Sequence, residues 1–198
     1  MRKRIYYLHI LLYLTAFFVG CKEDNNEENE VEVWKVENER FFNNLQNRSD
    51  LHKIEAESGN GYIYYKILRS GNPSLKSPKY TSDIYVYYTG ATLDGFDIAM
   101  DTIIRDKCFD TSYKGSNIIA PGPVYKPARF EKMGSLIEGW WIALQEMVPE
   151  DKEQMQPGDK WQLYIPQELG YKASKVGSGI PAYSTLIFEV ELVSFIDK

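Results

Sequence analysis

The sequence predicts an α+β domain in which an antiparallel sheet curls around one short amphipathic helix. Two patterns carry that reading. Leu186, Phe188, Val190 and Leu192 point one way while Glu189 and Glu191 point the other, as in a strand with one face in a core. Ile137, Trp140, Trp141, Leu144 and Val148 fall at helical spacing and make a single apolar stripe. A composition of 43% hydrophobic and 26% charged residues is ordinary for a globular core, and with 198 residues the chain has room for one domain plus extensions.

The chain opens with an address. Arg2, Lys3 and Arg4 precede a mostly apolar run from Ile5 to Val19, the length of a secretory signal and short for a membrane span. The run closes on Phe18-Val19-Gly20-Cys21, which resembles a bacterial lipobox, with Phe18 in place of the usual leucine. Residues 1–20 then form a lipoprotein signal peptide, and Cys21 is the lipidated residue that ties the protein to a membrane. The alternative is an uncleaved N-terminal anchor with an incidental cysteine; either way the domain is exported and tethered. Residues 21–32 follow as an acidic tether without enough apolar surface to fold. An acidic stretch just after such a cysteine is similar to the surface-export signals of Bacteroidota lipoproteins. The expected location is therefore the cell envelope, lipid-anchored to the outer membrane on its periplasmic or outward face.

The remaining elements follow in order. Residues 33–57 form an N-terminal extension, with Trp34, Phe41, Phe42 and Leu45 spaced as a short amphipathic helix. Ser58-Gly59-Asn60-Gly61 punctuates the chain before a strand-like run from Tyr62 to Leu68 and the main domain, 58–198. Ile84, Val86 and Tyr88 alternate with Tyr85 and Tyr87, and Trp161, Leu163 and Ile165 repeat the pattern. Ser135 and Glu138 read as a capping box at the start of the helix.

Several chemistries are excluded. His9 sits in the leader and His52 is read as preceding the folded core, so Ser-His-Asp, Cys-His and His-bearing zinc sites have no histidine to use. Cys108 is the single cysteine of the domain and leaves no intradomain disulfide. A net charge of −5, with no basic block beyond the leader, argues against nucleic acid as a partner. No cofactor and no metal site is indicated. Oligomeric state is not written in the sequence.

From residue 84 onward, a series of short segments resembles the FKBP-type peptidyl-prolyl isomerases. Val86-Tyr87-Tyr88-Thr89-Gly90 is similar to their V-x-Y-T-G strand, Leu93-Asp94-Gly95 to the following turn, and Phe109-Asp110-Thr111-Ser112 to the F-D-[ST]-S signature. Pro127-Ala128-Arg129-Phe130 with Leu136-Ile137-Glu138-Gly139-Trp140 resembles P-x-x-F followed by V-I-x-G-W. Ile165-Pro166-Gln167-Glu168-Leu169-Gly170-Tyr171 resembles I-P-P-E-L-A-Y, and the run from Ile180 to Leu192 completes the order. Departures are local. Phe96 to Cys108 is an insertion whose Phe96-Asp97 offers a second candidate for the signature, and its aspartates (Asp97, Asp101, Asp106), with Asp94 before it, read as solvated rather than cation-binding. The stretch from Tyr113 to Tyr125 is long, and Ala128 stands where many members carry a pocket phenylalanine.

The resemblance implies a five- or six-stranded sheet curled around the helix, with a pocket between them. It assigns Asp110, Tyr88, Trp140 and Tyr171 as catalytic and Phe109, Phe130, Leu136, Ile137, Ile180 and Phe188 as substrate-binding, with Trp140 as the floor. The implied partners are proline-containing polypeptides, and the implied activity is prolyl isomerisation, with a chaperone role, for exported proteins. The alternative is a binding module that kept the fold, lost catalysis and grips an envelope partner with its insertion.

Overall fold

The structure, a computed structural model, describes residues 24–113, 125–154 and 156–198, with side chains from residue 27 onward. The leader, Cys21 and most of the stretch between Tyr113 and Tyr125 lie outside the described residues. The chain divides into two units, Met1–Val33 and Trp34–Lys198; the architecture below is that of the second.

Helix α1 spans Asp24–Asn44 and ends in a 3₁₀ turn, Leu45–Asn47. The run expected as an unfolded tether is thus helical from Asp24, with Glu27 to Val33 exposed. Glutamate is a strong helix former, and extending an existing helix needs no new nucleus. Within the second unit, Phe41, Phe42 and Leu45 make the buried stripe. Asn38 fixes the helix in place: its side-chain oxygen accepts the Thr185 N–H at 2.8 Å, and Trp34 Nε1 donates to Ser184 Oγ at 3.1 Å.

Among the described residues the sheet is antiparallel throughout and has seven strands. Strands β1 (His52–Glu55), β2 (Tyr62–Arg69), β8 (Lys160–Ile165), β9 (Leu186–Ile196), β3 (Asp83–Ala91) and β6 (Asp110–Thr111) lie in that spatial order, and β7 (Ala128–Phe130) also pairs with β3. β4 (Phe96–Asp97) and β5 (Thr102–Ile103) form a separate hairpin inside the insertion. The extra strands over the expected five or six are two to four residues long, too short to show alternation. A boundary at 57/58 falls inside the sheet, because β1 pairs with β2 across the Ser58–Gly61 turn. His52 therefore belongs to the folded unit, where its ring stacks on Tyr65.

Helix α2 spans Glu138–Leu144 and packs on one face of the sheet. Ile84, Val86, Tyr88, Leu163, Phe188 and Val190 meet Trp140, Ala143 and Leu144 there. On the other face, Phe41, Phe42 and Leu45 of α1 cover Tyr64, Tyr164 and Ile187, together with Phe96 of the insertion. Covering both faces explains why Trp161 to Ile165 of β8 are buried without interruption.

Candidate active site

The site is built on the N-terminal end of α2. Trp140 is 4% exposed and lies across the cleft between helix and sheet. Three rings meet it edge to face: Tyr88 at 5.3 Å, Phe130 at 5.6 Å and Phe188 at 5.1 Å between centroids. Such geometry sets the positive ring edge against the negative ring face and fixes the walls. Two glycines make the packing possible. A Cβ on Gly139 would lie 2.4 Å from Ile165 Cγ2, so only glycine lets the helix approach the sheet this closely. A Cβ on Gly90 would lie 2.3 Å from the Phe188 ring and 2.8 Å from that of Phe109, and would push both walls out of place.

The polar edge is one pair. The Tyr88 hydroxyl donates a hydrogen bond to Asp110 Oδ2. Burial, and then the neighbouring Asp110 carboxylate, push the Tyr88 phenol well above its ordinary range, so it stays protonated as a donor. Asp110 is delivered by the β3–β6 register, in which it lies opposite Gly90, while Ser112 Oγ accepts the Tyr88 N–H at 2.9 Å. Tyr171 lines the same cleft, and burial, then the Asp110 carboxylate, raise its phenol too.

A cleft of about 220 Å³ is lined by Tyr88, Phe109, Asp110, Phe130, Ser135, Leu136, Ile137, Trp140, Tyr171 and Phe188. Nine of the ten sequence-predicted positions thus share one cavity. The tenth, Ile180, is 5% exposed and belongs to the same core cluster as Trp140 and Phe188, and it is not among the residues that line the cleft. Ser135, whose spacing to Glu138 predicts a helix cap, is a further lining residue. No cap bond forms at α2, whose N-cap position is Ile137; the Ser135 hydroxyl donates to the Glu131 carbonyl at 3.3 Å. The two F-D pairs separate cleanly. Phe109-Asp110 lines the cleft, whereas Phe96 packs edge to face on Phe41 at 5.9 Å, in the core of the opposite sheet face.

That opposite face holds a second polar assembly. Asp101 is not solvated, as its place in the insertion suggested. Arg48 grips it with two hydrogen bonds, at 2.6 and 2.8 Å, and Lys66 at 2.8 Å and the Tyr164 hydroxyl at 2.6 Å complete the set. Burial raises the Asp101 carboxyl, but these donors outweigh it and hold the group far below the usual carboxylate range. The contacts join residues 35 to 63 apart in sequence, so no local pattern announces them.

A sequence model of the FKBP-type peptidyl-prolyl cis-trans isomerases matches residues 76–193, more than half of the chain. The chain belongs to the FKBP family. Among relatives, it is 34% identical over 141 residues to the FKBP-type 22 kDa peptidyl-prolyl cis-trans isomerase of Escherichia coli (strain K12), covering 71% of this chain and 52% of that one. It is 31% identical over 137 residues to the macrophage infectivity potentiator of Trypanosoma cruzi, covering 69% of this chain and 54% of that one. Likeness to the Outer membrane protein MIP of Legionella longbeachae is 30% over 132 residues, 67% of this chain and 43% of that one. The chain thus spans about half the length of the curated FKBP relatives it matches. Among solved structures, FkpA from Escherichia coli shares the fold with a TM-score of 0.61 at 23% identity, over 87% of this chain and 64% of that one. A peptidyl-prolyl cis-trans isomerase from Pseudomonas syringae pv. tomato gives 0.57 at 25% identity, over 83% and 95%.

Proposed function

We propose that this FKBP-family chain catalyses cis–trans isomerisation of X–Pro bonds in exported polypeptides, with a chaperone role alongside. The observation that carries the reading is the open aromatic cleft, floored by Trp140 and edged by the Tyr88–Asp110 pair. Rotation about X–Pro faces a barrier of ~18–20 kcal/mol, because resonance gives the C–N bond double-bond character. Water stabilises the charge-separated planar amide more than the twisted one. A dry slot of aromatic rings withdraws that advantage, and its shape can favour the twisted form. No nucleophile takes part.

Roles follow from position. Trp140, Phe130 and Phe188 hold the pyrrolidine ring, with Phe109 and Leu136 completing the walls. The Ile137 N–H, which no backbone acceptor among the described residues takes, holds a substrate carbonyl; the Tyr171 hydroxyl donates to another. Tyr88 and Asp110 orient each other at the edge where the carbonyl rotates. The insertion, which favoured a binding-only reading, packs on the other sheet face and leaves this cleft open.

We further propose that residues 1–20 are a signal peptide and that lipid on Cys21 tethers the protein to the outer membrane. The n-region, apolar run and Gly20-Cys21 support it, as does a relative named for the outer membrane. Replacing Cys21→Ala should abolish incorporation of labelled fatty acid and release the protein from membranes; unchanged labelling sinks the tether. For catalysis the test is a protease-coupled assay with an Ala-Leu-Pro-Phe-type peptide. The expected result is an isomerisation rate proportional to protein concentration, and a rate equal to the uncatalysed one overturns the assignment.

A further inference from the structure

We propose that the groove between α1 and the β4–β5 hairpin is a second client site, one that docks an extended segment of unfolded polypeptide irrespective of proline. The proposal rests on the chaperone role proposed above for its client class alone. The groove encloses about 690 Å³ against about 220 Å³ for the prolyl cleft, and it opens on the opposite side of the sheet. Its apolar wall is Leu45, Leu93, Phe96 and Ile98.

The hairpin that forms the outer wall presents apolar side chains to water. Ile98 is 61% exposed and Met100 71%. These are not fraying residues. Asp97 Oδ1 accepts the N–H groups of Ala99 and Met100, both at 3.0 Å. Asp101, at φ 55°, is locked by Arg48, Lys66 and Tyr164. A non-glycine residue in the left-handed region costs free energy, as does a carboxylate withdrawn from water. Such an anchor, spent on a tip that leaves Ile98 and Met100 in solvent, fits a surface held ready for an apolar partner. Methionine suits a partner of varied sequence, because its unbranched side chain adapts its shape.

The facing helix supplies what a main chain needs. Glu37, Arg40 and Asn44 line the groove and make no ion pair or side-chain hydrogen bond with any described residue. Seven residues of helix rise about 10 Å, the length of about three residues of extended chain. A carboxylate takes a peptide N–H, a guanidinium gives to a carbonyl, and the Asn44 amide does both. This row matches an extended backbone with its side chains against the apolar wall. A lipid surface offers no such alternation.

The test uses the full-length chain in lipid nanodiscs and a fluorescent, proline-free peptide of about a dozen alternating leucines and serines, read by anisotropy. Saturable binding is expected, weakened at least about tenfold by Ile98→Asp with Met100→Asp, and about threefold by Asn44→Ala. Neither variant should alter turnover of the short proline peptide, while Trp140→Ala should lower turnover and leave anisotropy binding unchanged. Failed turnover in the parent with intact binding would strike the isomerase reading and leave this site standing. Undiminished binding in the Ile98/Met100 variant overturns the proposal. So does equal loss in Trp140→Ala, a change of oligomeric mass with the Ile98/Met100 variant, or peptide signal on empty nanodiscs.

Discussion

The two faces of the sheet use the same aromatic material to opposite ends. Beneath α1, Phe41, Phe96 and Tyr164 pack against one another, and the Tyr164 hydroxyl joins Arg48 and Lys66 in saturating the Asp101 carboxylate. Beneath α2, Tyr88, Phe130 and Phe188 stack around Trp140, whose Nε1 is buried without a partner among the described residues. A satisfied polar core resists change, since every donor is committed. A cavity with uncommitted groups keeps them for a ligand. Saturation of its polar atoms, rather than aromatic composition, sets the Asp101 cluster apart from the Trp140 cleft.

The comparison breaks hardest at the floor. Trp140→Ala removes the ring that three others pack against, and kcat/KM for the proline peptide should fall about a hundredfold, close to 2.7 kcal/mol of transition-state binding. Trp140→Phe, which keeps an aromatic floor, should recover much of that. Equal activity in parent and alanine variant would move the chemistry elsewhere. On the other face, Asp101→Ala strands Arg48 and Lys66 together. Removing one partner of a buried pair costs about 3–5 kcal/mol, and partial exposure of this pair lowers the expectation to about 2 kcal/mol by urea unfolding. Turnover of the short peptide should not change, so a fall in kcat would show that the faces are coupled.

What the sequence made legible divides along the same line. The cleft was readable because its residues sit in short ordered segments whose types are set by local needs: Gly90 and Gly139 by ring and helix approach, Trp140 by the helical stripe. β9 was readable because one of its faces is buried and the other carries Glu189 and Glu191. The outer face was not. Arg48, Lys66, Asp101 and Tyr164 come from four separate stretches of the chain, and nothing in any one of them requires the others. β8 illustrates the limit: covered on both faces, it buries even Gln162, whose side chain donates to the Tyr164 hydroxyl at 2.7 Å.

A finer break comes at the polar edge. Asp110→Leu leaves the Tyr88 hydroxyl without its acceptor while the rings stay in place. The expected loss in kcat/KM is about tenfold, or about 1.4 kcal/mol, with a melting temperature within a few degrees of the parent. Asp110→Asn, which can still accept, should lose less. If both variants keep full activity, Asp110 holds a loop and nothing more.

The smallest expected effect concerns acid. Arg48 holds the Asp50 carboxyl down at about 2, and Asp101 and Asp83 also titrate well below the usual carboxylate range. A carboxylate whose folded pKa is depressed stabilises the fold above its unfolded value, near 3.8, and loses that contribution as pH falls toward the folded value. The melting temperature should therefore be flat from neutrality to about pH 5 and decline below pH 4. Asp101→Asn removes one titrating group, so its curve should start lower at neutral pH and converge on the parent in acid. With Asp101 partly screened by solvent, the neutral-pH gap should be about 2–4 °C per kcal/mol lost in a chain of this size. A constant gap from pH 7 to pH 2 would mean that Asp101 acts through shape alone. The saturation that separates the two faces would then owe nothing to its charge.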